Sequence, residues 1–292
     1  MDRIEIRPIT NMSEMGAVED IQLQIWGKDE REIMPGHLLH ALQHNGAALI
    51  GAYDDTKLVG FALAILATVE DLNNRVDQVA AARLKMYSVI AGVLPTYRDA
   101  NIGYRLKLAQ RDFALRIGIR LITWTYDPLE SRNGRFNIGK LGAICHRYHR
   151  NFHGDLVGIN AGLATDRFEV EWWVTSNRVK GRVKDNRRPL SLQSLIDGGA
   201  VLINEATFDS QGLPVPPLNY VSRPANLILM EIPFDFQRIK SEDFSLALHW
   251  RTHSQLLFEE LFHSGFVITD FVGTTDADGH QRSFYFLTHQ DS

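Results

Sequence analysis

The chain has 292 residues, 45% hydrophobic and 23% charged, with a formal net charge of −4. That length buries a large core, in one big domain or two modest ones, and the acidic balance offers no basic field for nucleic acid. A single cysteine, Cys145, excludes an internal disulfide and fits a reducing compartment. No basic-then-apolar leader opens the chain, and no apolar run could cross a bilayer, so a soluble cytoplasmic protein without a membrane partner is expected.

In chain order, Ile4, Ile6 and Pro8 alternate with charges as a first strand. Residues 11–14, Asn-Met-Ser-Glu, supply capping chemistry for a helix carrying Ala17, Ile21 and Ile25 at steps of four, ending at Trp26-Gly27. A second helix is predicted over Pro35–His44. Residues 47–69 read as two strands around a turn at 54–57, and the polar stretch Glu70–Lys85 connects them to the next strand. Lys85–Pro95 is that strand, apolar and partly β-branched. Thr96–Gly103 is a short polar loop. From Ile102 the apolar positions Leu106, Ala109, Phe113, Ala114 and Ile117 have helical spacing, Gly118 closes the helix, and Leu121–Tyr126 is extended again.

Asp127-Pro128 breaks regular structure. Strands are predicted over 143–155 and 167–174. Simple alternation in the first of these puts His146, Tyr148 and Arg150 on one face and Cys145, Arg147 and His149 on the other. A basic connector, from Arg178 to Arg188, precedes Pro189 and marks the predicted boundary between residues 1–178 and 179–292. Beyond it come a short helix (191–199), a strand (200–208), a proline-rich loop (211–224) and a buried strand (226–233). The strongest helix signal covers 241–266: Ser241 and Asp243 cap it, Leu246, Trp250, Leu257 and Leu261 line one side, and Gly265 ends it. Two strands close the chain.

The loop from Val93 to Leu106 delivers the chain into a helix N-terminus, where unpaired N–H groups and a partial positive charge suit a phosphate. Its glycines fit neither the nucleoside-triphosphate loop nor the dinucleotide fingerprint. With its preceding Val93-Leu94-Pro95 and with Arg98, Asn101 and Gly103 on the signature positions, it resembles the acyl-CoA loop of the GNAT acyltransferases; Asn101 stands where that family usually has glycine. The bland alternative is an ordinary strand–turn–helix crossover. The resemblance extends over most of the chain, to a branch with a long C-terminal extension, some of whose members are encoded beside N-acylamino-acid racemases. It implies an α/β fold with a mixed, mostly antiparallel sheet and helices on both faces, and a short helix and Lys-Leu-Gly turn over 131–143. It also implies acetyl-CoA or another acyl-CoA as cosubstrate, no metal, and a small-molecule amine, amino acids included, as acceptor. Residues Val93, Leu94, Arg98, Asp99, Ala100, Asn101, Ile102, Gly103 and Tyr104 would hold the CoA. The strand–helix–strand–strand order after residue 226 is open to two readings, a second, partial GNAT-like unit or a simple addition.

For catalysis, many GNAT members place a tyrosine one turn before the Lys-Leu-Gly glycine, and here that position is Ile138. The candidates are Tyr126 as acid, Tyr148 as a second acid, His146 as base, and Glu70 as a base acting through water. Each has a structural alternative: aromatic packing for Tyr126, a polar surface row for His146 and Tyr148, a solvated strand end for Glu70. Cys145, His146, His149 and His153 are scattered by alternation and make no metal set. The expected function is therefore acyl-CoA-dependent N-acyltransfer. The second hypothesis is a GNAT-fold protein that holds CoA or regulates without catalysing, and a homo-oligomer is left open in both.

Overall fold

Strand β1 (Ile4–Pro8) pairs antiparallel with β2 (Ala48–Asp54), β2 with β3 (Lys57–Thr68), and β3 with β4 (Leu84–Val93). This computed structural model describes residues 4–27, 33–69, 84–98, 100–154, 162–184, 190–218 and 225–289. The chain divides into two units, Met1–Trp124 and Thr125–Ser292. In the first, helices α1 (Met12–Trp26), α2 (Gly36–His44) and α3 (Ile102–Arg116) join the strands, and β5 (Leu121–Tyr126) runs parallel to β4. Strand, two helices, hairpin, central strand, loop, helix, strand is the order that the resemblance implied.

Helices cover both faces of this sheet, which is why β3 is buried continuously over residues 58–64 where a one-sided strand would alternate. A β-bulge in β4 switches its faces. The register steps from Leu63↔Ile90 to Ala64↔Ser88 and leaves Val89 as the extra residue. Ser88 accordingly meets α3, while a Cβ added to Gly92 would strike Ile25 and Trp26 of α1. Glu14 ties α1 to the sheet, accepting from Tyr53 at 2.8 Å and from Arg7 at 2.9 Å.

The second unit opens with α4 (Ser131–Gly134), which continues as a π-helical stretch, Arg135–Lys140. Then come β6 (Ile144–His149), β7 (Arg167–Trp173), α5 (Asn177–Val183), α6 (Leu192–Asp197), β8 (Val201–Leu202), β9 (Thr207–Phe208) and β10 (Pro214–Val215). Finally come β11 (Leu227–Ile232), α7 (Phe236–Glu242), α8 (Phe244–His263), β12 (Phe266–Thr275) and β13 (Gln281–His289). The sheet of this unit runs β7-β6-β12-β13-β11-β8, antiparallel except for β11 beside β8. Two hairpins, β6–β7 and β12–β13, thus meet along β6 and β12, with Cys145 opposite Ile268.

Helix α8 buries Leu246, Trp250, Leu257 and Leu261, the expected stripe, and its cap is Asp243, which accepts from the Leu246 N–H at 2.9 Å. Ser241 belongs to the preceding helix α7 and caps nothing in α8. Phe258 of α8 meets Phe168 of β7 at 4.6 Å between centroids and Tyr285 of β13 at 5.6 Å, an aromatic core for the unit. The stretch read as a basic linker is in part helix α5. Arg182 forms a buried pair with Asp270 at 3.1 Å, and Arg178 donates to the carbonyls of Gly142 and Thr269, so both cations hold structure. Arg187 and Arg188 lie outside the described residues. Among the described residues no helix is long and apolar enough to cross a membrane.

Candidate functional site: a forked strand pair and the loop above it

Parallel pairing of β4 with β5 consists of Met86↔Ile122 and Tyr87↔Thr123, after which β4 continues to Val93 on the β3 side alone. The two strands therefore part at Ser88 and Trp124, and the bulge at Val89 falls at the mouth of the fork. A bulge leaves its extra residue out of the ladder, so its backbone can serve a ligand. Above the fork the chain makes a 3₁₀ turn, Pro95–Tyr97, and enters α3 through Asn101. The Tyr97 hydroxyl donates to Asp54 at 2.8 Å, fastening the loop to the β2–β3 turn. Arg105 donates to the Ile4 carbonyl at 2.6 Å and holds the first turn of α3 from the other side.

Asn101 adopts φ 62° and ψ 12°, the left-handed conformation that Asn tolerates better than most side-chain-bearing residues. The glycine expected there is thus dispensable for the turn. Gly103 has an ordinary helical backbone, and a Cβ added to it would meet nothing within 4 Å, so open space lies beside the helix start. Arg98 and Asn101 are exposed, Val93, Ala100, Gly103 and Tyr104 half-buried, and Leu94 and Ile102 buried. Asp99, the remaining expected CoA contact, and Glu70, the expected base, lie outside the described residues.

Below the loop, α3 turns a lysine into the fork. Lys107 is 5% exposed and donates from Nζ to Ser88 Oγ at 2.8 Å; its Nζ lies 3.8 Å from the centroid of the Trp124 ring. Ser88 Oγ in turn bonds Gln110 Oε1 at 3.0 Å. Burial alone pushes the Lys107 ammonium down to about 7, since no described charge offsets its desolvation. The sequence gives no warning of this group. A lysine following core Leu106 reads as a solvated helix position, and only the fork brings it inside.

The remaining expected residues lie in the second unit. Tyr126 is buried, with its hydroxyl 3.2 Å from that of Tyr285, which donates to the Pro128 carbonyl at 3.0 Å. Burial, with Tyr285 adding to it, raises the Tyr126 phenol well above its usual value. Tyr148 donates to Asp166 at 2.6 Å and stacks on Phe258. His146 sits at a bulge, where the register steps from Cys145↔Val170 to Arg147↔Glu169, and its Nε2 lies 3.7 Å from Glu171. The bulge leaves His146 out of the ladder beside Glu171, while the Tyr148 ring joins the aromatic core, and both residues line one cleft. Cys145 is fully buried, and desolvation pushes its thiol upward.

A shallow cleft of about 390 Å³ is lined by His146, Tyr148, His149, Glu259, Phe262 and His263. In the β12–β13 turn, ligand atoms of Asp276, Asp278 and His280 approach within 4.8 Å of one another. There the Asp276 carboxylate accepts from the backbone N–H groups of Asp278 and His280, which is the chemistry of a tight turn. Ile138, fully buried in the π-helical stretch, offers no proton.

Among the solved structures similar to this chain are N-acetyltransferases. Arabidopsis thaliana NAA60 in complex with acetyl-CoA matches at 17% identity and a TM-score of 0.49, over 59% of this chain and 99% of that one. An N-acetyltransferase from Staphylococcus aureus matches at 14% and 0.45, over 59% and 99%. The ribosomal-protein-S18-alanine N-acetyltransferase from Escherichia coli matches at 12% and 0.45, over 59% and 95%. No family model and no curated protein matches the sequence.

Proposed function

We propose that the chain is an acyl-CoA-dependent N-acyltransferase acting on the amine of a small molecule. The observation that carries this reading is the β4–β5 fork with its bulge at Val89, directly below a loop that opens a helix N-terminus. The CoA pyrophosphate would lie on residues 98–104, against the first N–H groups of α3, where the backbone dipoles favour negative charge. The pantetheine arm would take the free edge of β4, with a backbone N–H at the bulge polarising the thioester carbonyl. In the transfer the amine nitrogen bonds to the thioester carbon and the carbon–sulfur bond breaks. The amine's proton then passes to the departing sulfur, giving an amide and free CoA.

A second reading is favoured by one observation: the hydroxyls of Tyr126 and Tyr148 are both engaged inside the second unit, and Ile138 is buried. On that reading the chain holds acyl-CoA without transferring the acyl group. Thermal stabilisation by acetyl-CoA, followed by thiol release across a panel of amines and amino acids, separates the two. Stabilisation with amine-dependent thiol release supports the enzyme, and stabilisation without it supports the binding protein. No stabilisation by any acyl-CoA would overturn both.

A further inference from the structure

Among the described residues, the lysine in the fork has no countercharge. Lys107 reaches the fork from α3, bonded to Ser88 of β4 and lying over Trp124 of β5, the residues that follow the last paired positions of the two strands. Gln110, one turn on, is fully buried and accepts at Oε1 from the Ser88 side, while its amide Nε2 is buried with no partner among the described residues. Lys107 Nζ thus meets a hydroxyl from β4 and an indole from β5, that hydroxyl bonds the Gln110 amide of α3, and no described carboxylate approaches the lysine. A buried ammonium and a buried amide, linked through Ser88 Oγ, thus lack a charged acceptor among the described residues. A carboxylate, with two oxygens in one plane, satisfies both.

We propose that Lys107 and Gln110 recognise a carboxylate at the far end of the transferred acyl group, so that the preferred donor is a short dicarboxylic acyl-CoA. This rests on the function proposed above, because the pantetheine arm entering from the loop brings the acyl end toward the point where β4 and β5 join. Malonyl, succinyl and glutaryl groups are the chemical class; acetyl leaves the ammonium and the amide unpaired. Binding such a group raises the proton affinity of Lys107, whose pKa burial lowers to about 7.

The test is calorimetric titration of the full chain with CoA, acetyl-CoA, malonyl-CoA and succinyl-CoA at pH 8, in two buffers of different ionisation enthalpy. A dicarboxylic donor is expected to bind about tenfold tighter than acetyl-CoA, as a charge-assisted contact implies. It should also draw about one proton from the buffer, whereas acetyl-CoA draws none. In Lys107→Met, which replaces a buried charge with an apolar chain of similar length, the preference should fall to near unity and the uptake should vanish. Gln110→Leu, which keeps the ammonium, should weaken the preference and keep the uptake. Equal affinities for acetyl-CoA and both dicarboxylic donors, without proton uptake, would overturn the inference and leave the acyltransferase reading standing. Failure of every CoA species to bind would overturn the acyltransferase reading itself. A preference that survives intact in Lys107→Met would place the carboxylate elsewhere and overturn the assignment.

Discussion

Asn101 and Gly103 divide the work of the loop, since Asn101 bends the backbone and Gly103 keeps the surface clear. Replacing Gly103 with valine is expected to leave the melting temperature near that of the wild type, because the new side chain meets no neighbour and the backbone is already helical. CoA affinity should fall, because the branched side chain occupies the space over the first turn of α3. Unchanged affinity by calorimetry would remove the loop from the site. Tyr126 calls for the opposite pattern. A phenol acting as general acid would cost about 10²–10⁴-fold in turnover when changed to phenylalanine. Its hydroxyl is instead spent on Tyr285, which keeps its own bond to the Pro128 carbonyl. Tyr126→Phe should therefore cost about 1 kcal/mol of stability and leave turnover close to wild type, as read by a denaturation curve beside steady-state rates. Asn101 and Gly103 were legible in the sequence because turn chemistry is local. The fate of the Tyr126 hydroxyl was not, since its partner lies on the last strand of the chain.

Helices α3 and α8 show how far apolar spacing carries at the level of the element. Both were legible as helices, and the buried stripe of α8 was legible residue by residue, because a helix repeats its environment every turn. The two bulges were not. An extra residue at Val89 or His146 carries no mark of its own, yet each exchanges the faces of the strand that follows. Neither was the polar side of α8. Arg251 is buried there, with two bonds to Asp127, at 2.9 and 2.6 Å, and so holds the helix to the turn that leaves β5. Arg167 lies at 3.8 Å from the same carboxylate, too far to replace both bonds. Arg251→Ala is expected to cost about 3 kcal/mol, because it strands a charge in a largely buried site. The double variant Asp127→Asn with Arg251→Met should recover part of that loss. A single variant as stable as the wild type in urea would show that the pair does not hold α8.

Summed over the molecule, the buried ionisable groups fix how stability follows pH. Lys107 has a folded value of about 7, below the ordinary lysine value of 10.5, so between those limits the unfolded chain binds a proton that the folded chain does not. Stability therefore rises with pH across that window and is lost as pH falls back through 7. Lys240, lowered by partial burial, acts in the same direction. Opposing groups enter higher up. Desolvation raises the Cys145 thiol, so above about pH 9 the unfolded chain gives up a proton that the folded chain keeps, and stability falls. The buried phenols of Tyr126, Tyr148 and Tyr285, also raised chiefly by burial, do the same above about pH 10. Between pH 7 and 8.5 Lys107 is unopposed by the thiol and the phenols, which places the maximum of stability near pH 9, above the usual range of about 5 to 8. Calorimetric melting temperatures of the ligand-free protein from pH 6 to 10 should climb from 7 toward 9 and then decline. Lys107→Met should flatten the climb and move the maximum to lower pH. A wild-type profile already falling between 7 and 8.5, or an equal slope in the variant, would mean that the fork does not hold this lysine out of water.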